Sequence, residues 1–95
     1  MKLVKIVPST KSDKKYDAHF ITDKNRAKVI SFGSKGMEDY TTHKDTERQA
    51  RYLARHHARE HWDDPLTAGA LSRYVLWSAT TFRQGVQNYK QRFHL

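Results

Sequence analysis

Arginines recur at helical spacing between residues 43 and 61, and they are the residues of this chain best suited to chemistry. At roughly 100° per residue, one stripe of such a helix carries Arg48, Arg51, Arg55 and Arg59, with Tyr52 beside them. Guanidinium groups form paired hydrogen bonds with phosphate and carboxylate, and an aromatic ring can add a stacking or packing surface. The stripe therefore predicts contact with an anion, most often phosphate. The alternative is a solvated face whose arginines pair locally with residues such as Glu47.

Two histidines, His57 and His61, have the i, i+4 spacing of a two-histidine metal site on the other side of that helix. A metalloprotease helix also needs glutamate directly after the first histidine, but Ala58 occupies that position. We therefore expect no metal and no other cofactor. Both histidines are instead expected to face the sheet or the next helix as hydrogen-bonded core residues.

A cluster of polar residues lies around the start of the stripe and comprises Asp39, Tyr40, His43, Asp45 and Arg48. A histidine beside an aspartate can act as a general base, but these residue types also cap a helix N-terminus. The chain has no cysteine nucleophile, no serine elbow and no recognisable metal-nuclease spacing. The sequence therefore predicts no catalytic residues and no enzymatic activity.

The loop Gly-Ser-Lys-Gly at residues 33–36 is a second possible phosphate contact. Its backbone N–H groups, with Lys35, can form an anion-binding nest, although the spacing of a Walker A loop is absent. A plain turn between strand and helix is the favoured interpretation. Lys35 is kept as a supporting contact to phosphate.

The composition is that of one small basic domain. The 95 residues carry a net charge of +8, and 37% of them are apolar, which suffices for one modest core. Nine of the ten cations among residues 1–45 are Lys, whereas seven of the eight among residues 46–95 are Arg. The absence of cysteine excludes disulfides and thiolate zinc sites. No apolar run is long enough for a membrane span or a secretory signal, so an intracellular or virion location is expected.

Alternating apolar residues predict three strands within residues 1–36, at 3–7, 16–21 and 27–32. In the second run Tyr16, Ala18 and Phe20 share one face, and in the third run Ile30 and Phe32 share one face. Polar turns connect these runs, which indicates an antiparallel sheet that the helices must cover.

Residues 42–95 predict three helices. The first spans 42–61 and has Asp45 in a capping box; the second spans 66–77 and is the most apolar. The third begins at residue 80 or 81 and presents one apolar stripe: Phe82, Val86, Tyr89 and Phe93. Trp62 and Trp77 are expected in the core. The predicted fold is a single α+β domain over residues 1–95, with a three-stranded antiparallel sheet followed by three helices (βββααα).

Short motifs along the whole chain carry a family resemblance. They are Phe-Gly at 32–33, Asp-Tyr-Thr at 39–41, Arg-His at 55–56, Leu-Ser-Arg at 71–73, Val-Leu-Trp at 75–77 and Tyr-Lys-Gln-Arg-Phe at 89–93. In these motifs the chain resembles a small uncharacterised family of large DNA viruses of algae and protists. The resemblance implies the context of a double-stranded DNA virus or its host, and it implies no activity. It places the family pattern on Asp39, Tyr40, His43, Arg48, Tyr52, Arg55 and His56.

Together these observations predict a small basic nucleic-acid-binding protein that contacts mainly the phosphate backbone, with DNA preferred to RNA. The expected contacts are Lys35, Arg48, Arg51, Tyr52, Arg55 and Arg59, with Arg83 and Lys90 as further candidates. The alternative is a non-enzymatic virion structural or protein-interaction module, whose arginines would meet an acidic partner surface.

Overall fold

A three-stranded antiparallel sheet forms the first part of the computed structural model, which describes all residues from 1 to 95. Its strands are β1 (Lys2–Pro8), β2 (Lys14–Ile21) and β3 (Ala27–Ser34), in the order β1-β2-β3. Tyr16 pairs with Phe32 and Ala18 with Ile30, so these side chains share the face that the helices cover. The predicted sheet is confirmed.

Four helices follow the sheet: α1 (Tyr40–His43), α2 (Thr46–His57), α3 (Ala68–Leu71) and α4 (Phe82–Phe93). α3 continues directly into a π-helical turn (Ser72–Leu76), in which the N–H of Trp77 donates to the carbonyl of Ser72. The α+β class is therefore confirmed, but the predicted number of three helices is wrong. None of the helices has the length and apolar character that crossing a membrane requires.

The first predicted helix is interrupted at Lys44. This residue has a left-handed backbone (φ 56°) and ends α1, whose N-cap is Asp39 in a capping box with Thr42. Asp45 then caps a new helix, because its side chain accepts hydrogen bonds from the N–H groups of Glu47 and Arg48. Asp45 is therefore the N-cap of α2 and not the N3 residue of a capping box.

α2 ends at His57, four residues earlier than predicted. The carbonyl of His56 accepts from the N–H groups of both Arg59 and Glu60, which closes the helix in a turn. Arg59 therefore lies beyond the helix and outside the arginine stripe.

The hydrophobic core lies between the sheet and the helical layer. Its buried residues come equally from both parts: Leu3, Ala18, Phe20 and Phe32, and Leu71, Val75, Leu76 and Tyr89. Tyr89 is fully buried, and its hydroxyl donates to the carbonyl of Pro65 at 2.5 Å. The most apolar predicted helix supplies three of these core residues, and the predicted apolar stripe of the last helix packs in and against the core.

Gly85 allows α4 to contact the π-helical turn backbone to backbone. A Cβ atom at residue 85 would lie 2.0 Å from the carbonyl oxygen of Val75 and 2.8 Å from its carbonyl carbon. Neither atom can move without shifting the turn, so only glycine is compatible with this contact. α4 and the turn are held together at the centre of the helical layer.

We predict that Gly85→Ala is strongly destabilising despite the better helix propensity of alanine. Overpacking against backbone should cost about 3 kcal/mol or leave the protein insoluble. Urea denaturation followed by circular dichroism measures the loss. Gln87→Ala, an exposed change on the same helix, is the control and should be nearly neutral. Equal stability of the two variants would contradict this account of the contact.

The other face of β2 buries one carboxylate, Asp17, which is only 6% exposed. The hydroxyls of Ser9 and Ser31 each donate to its Oδ1 at 2.7 Å, and the N–H of Thr10 donates to Oδ2 at 3.4 Å. These hydrogen bonds, from Ser9 first and then Ser31, lower the pKa of Asp17 despite its burial. The carboxylate ties β1 and its following loop to β3 across the middle strand.

This network predicts a pH-dependent contribution to stability. A folded-state pKa below the unfolded value of about 3.9 stabilises the protein above that pH. The contribution is lost as the pH falls through the lowered folded value. Asp17→Asn should therefore be less stable than the native chain at pH 7, and the difference should shrink in urea titrations below pH 4. Asp63→Asn, at an exposed carboxyl, is the control; a difference that stays constant with pH would contradict the prediction.

Candidate functional site

A cleft of about 580 Å³ is lined by three of the predicted arginines, Arg48, Arg51 and Arg55. Its walls come from the start of β2, the end of β3 and the segment that precedes α1. The helix α2, together with α3 and its π-helical turn, completes them. Five cationic side chains line it: Lys14, Lys15, Arg48, Arg51 and Arg55. Two separate parts of the fold thus direct positive charge into one concavity.

Three carboxylates share this cleft, and two of them neutralise particular cations. Lys15 Nζ lies 2.6 Å from Asp39 Oδ2 in a largely buried pair. Arg48 Nη1 lies 3.3 Å from Glu38 Oε2 in an exposed pair, which is worth little in water. Lys14, Arg51 and Arg55 have no carboxylate within 4.0 Å. These three cations are free to meet an external anion.

Tyr52 fixes the orientation of α2 by stacking on both of its ring faces. Its ring lies parallel to that of Trp77, with centroids 4.1 Å apart and an interplanar angle of 3°, and 4.2 Å from that of His56. Burial, and next the nearby Glu60 carboxylate, raise the pKa of Tyr52 far above its usual range. With both ring faces occupied, Tyr52 has no free face for a nucleobase.

Glu60 organises the far end of the cleft. Its Oε1 lies 2.8 Å from His56 Nδ1, and its Oε2 accepts from Trp62 Nε1 at 2.8 Å. Glu60 also packs closely against α3, since a Cβ atom on Gly69 would lie 2.9 Å from Glu60 Oε2. The third carboxylate of the cleft is therefore committed to contacts within the protein.

His43 and its neighbours hold helix ends and packing contacts. The N–H of Asp45 donates to His43 Nδ1 at 2.9 Å, and the imidazole packs 5.2 Å from the ring of Trp77. Asp39 accepts from the N–H of Thr41 in addition to its pair with Lys15. Each member of this polar cluster thus has a contact within the protein that accounts for its position.

The structure brings together only part of the predicted site. Arg48, Arg51, Tyr52 and Arg55 line the cleft, whereas Lys35, Arg59, Arg83 and Lys90 do not. The 33–36 loop forms a turn in which the N–H of Lys35 donates to the carbonyl of Asp13. The predicted site lacks Lys14 and Lys15, because no local sequence pattern shows that the start of β2 lies near α2.

The prediction that His57 and His61 face the core is wrong, because both side chains are exposed. α2 ends at His57, and this ring lies edge-on to Trp62 with centroids 5.6 Å apart. No cluster of three or more His, Asp or Glu side chains in the structure is arranged to hold a metal ion. Trp62 and Trp77 are half-buried, and Trp77 packs against the core.

We predict that ring stacking, not the hydroxyl, is what Tyr52 contributes. Tyr52→Ala removes a buried ring and should lower the free energy of unfolding by about 3 kcal/mol. Tyr52→Phe keeps both stacked faces and should cost less than about 1 kcal/mol. Thermal unfolding followed by circular dichroism compares the two variants. Equal losses would assign the effect to the hydroxyl and contradict the stacking account.

Comparison with known proteins identifies a family without an assigned activity. Residues 4–56 match the model of a family of unknown function (DUF5754). The matched segment contains almost all of the sheet, α1 and almost all of α2, and with them all five cations of the cleft. No curated protein and no solved structure matches the chain.

Proposed function

We propose that this chain, which belongs to the family of unknown function matched over residues 4–56, binds the phosphate backbone of nucleic acid in its arginine-lined cleft. The binding is non-enzymatic and largely independent of base sequence. Its main contacts are Arg51, Arg55 and Lys14, and Arg48 is a further cation of the lining. The resemblance to proteins of large DNA viruses makes DNA the first ligand to test, and a host cell or virion the expected location.

One observation carries this proposal: three cations without ion-pair partners converge on one concavity. Arg51 and Arg55 lie one turn apart on α2, and Lys14 comes from the sheet. The backbone that carries both arginines is set before binding, because Asp45 caps α2 and the Tyr52 stack attaches this helix to Trp77. An anion therefore meets a helix that needs no rearrangement, which lowers the entropic cost of binding.

The size of the cleft favours a single strand over a duplex. A volume of about 580 Å³ falls within the range of pockets that hold small ligands. It admits the phosphates and sugars of a few nucleotides, whereas a duplex is too wide to enter. Since Tyr52 has no free ring face, base stacking on this side chain cannot add sequence preference.

A partner protein with an acidic segment is the second candidate. Glu38 and Asp39 already place carboxylates against Arg48 and Lys15 in the cleft. An acidic peptide in an extended conformation would repeat these contacts at Arg51 and Arg55. The domain would then be a protein-interaction module, as in a small virion component.

We predict salt-dependent binding of a short single-stranded oligonucleotide, measured by fluorescence anisotropy. The logarithm of the affinity should fall with the logarithm of the salt concentration, with a slope of about −0.7 for each phosphate contacted. The double variant Arg51→Ala with Arg55→Ala should bind at least about tenfold more weakly at low salt and show a shallower slope.

The matched control removes two charges outside the cleft, by Arg59→Ala with Arg83→Ala. It should keep most of the affinity, and circular dichroism should show both double variants folded. A slope near zero, or equal losses for the two double variants, would overturn the proposal. Tight binding of an acidic peptide without oligonucleotide binding would favour the protein-interaction function.

A further inference from the structure

A second cavity, of about 350 Å³, lies among α2, the π-helical turn and α4. Two arginines from different elements line it, Arg73 and Arg92. Its remaining polar lining groups are neutral amides and a hydroxyl: Gln49, Ser78, Asn88 and Gln91. No carboxylate lines this cavity, in contrast to the arginine-lined cleft, and its charge is uncompensated.

Arg73 is held rigidly but lacks a polar partner. Its guanidinium carbon lies 5.3 Å from the ring centroid of Trp62 and 4.9 Å from that of Tyr74, within the range of cation–π contacts. Its Nε is buried and makes no hydrogen bond. A buried donor without an acceptor is costly and uncommon in folded proteins. The aromatic contacts thus fix an arginine whose hydrogen-bonding capacity is unused.

Arg92 supplies a second guanidinium from another helix. It is exposed, packs 5.1 Å from the ring centroid of Phe93, and has no carboxylate within 4.0 Å. Gln49 and Asn88 each commit one amide hydrogen, to Trp77 and Ser78 respectively, and each retains a second one. The cavity is therefore lined by hydrogen-bond donors and by no negatively charged group.

We propose that Arg73 and Arg92 form a second anion site that binds a phosphate group. Two guanidinium forks from different helices match the several acceptor oxygens of a tetrahedral oxyanion. The π-helical turn carries Arg73, and such turns occur frequently at functional sites. The phosphate can be free or part of a nucleotide, and the site is independent of the arginine-lined cleft.

The test is an NMR titration of the uniformly ¹⁵N-labelled protein, which reports the Nε–H of Arg73 directly. Inorganic phosphate and a nucleoside monophosphate are added separately, at constant ionic strength. We expect a saturable shift of the Arg73 signal and about tenfold weaker binding in Arg92→Ala. Tighter binding of the nucleotide than of inorganic phosphate would identify the source of the phosphate as a nucleotide.

Arg83→Ala is the matched control, because it removes an exposed arginine from the same helix outside the cavity. It should leave the affinity unchanged. The absence of a saturable Arg73 signal shift, or equal weakening in the Arg83 and Arg92 variants, would overturn the site. The cleft variants Arg51→Ala and Arg55→Ala should retain the Arg73 response, which separates this result from the outcome of the oligonucleotide experiment.

Discussion

Parallel stacking of Tyr52 on Trp77 attaches α2, and with it the arginines of the cleft, to the rest of the protein. Tyr52 is the one buried residue of α2, so this helix has little apolar area of its own to pack. A hydrogen bond from Gln49 Nε2 to the carbonyl of Trp77 strengthens the same attachment. The shape of the cleft therefore depends on one aromatic contact between α2 and the residue that follows the π-helical turn.

Gly85 fixes the π-helical turn, because it lets α4 approach the carbonyl of Val75 directly. α4 therefore positions the turn and the Trp77 that follows it, and Trp77 positions α2 through its stack on Tyr52. The sheet enters at the other wall, where the pair between Lys15 and Asp39 ties β2 to the cap of α1. Contacts within the protein therefore hold both walls of the cleft in place, and no bound anion is needed to form it.

Much of the fold follows from local sequence, and much of the site does not. Alternation predicts the strands and the residues that share a face, such as Tyr16, Ala18 and Phe20, because one sheet face is buried. The helix break at Lys44 does not show in the sequence, since Asp45 suits both the N3 position of a capping box and the N-cap of a new helix. Lys14 reaches the cleft only through tertiary packing, and helical phase alone cannot show this. Helical phase also places Arg59 wrongly in the arginine stripe, because it assumes that the helix continues past His57.

The division between Lys and Arg along the chain acquires a physical meaning from the structure. Lys2 and Lys28 on the strands and Lys24 in the turn between β2 and β3 lie exposed, where hydrated charges attract anions from any direction. Arginines occupy the helical part, where Arg73 packs between Trp62 and Tyr74. A guanidinium tolerates such contacts because it is weakly hydrated and stacks on rings, whereas an ammonium group would lose more hydration there. Under the proposed function, the exposed lysines supply attraction at a distance, and the arginines, with Lys14, supply the contacts that hold the phosphate.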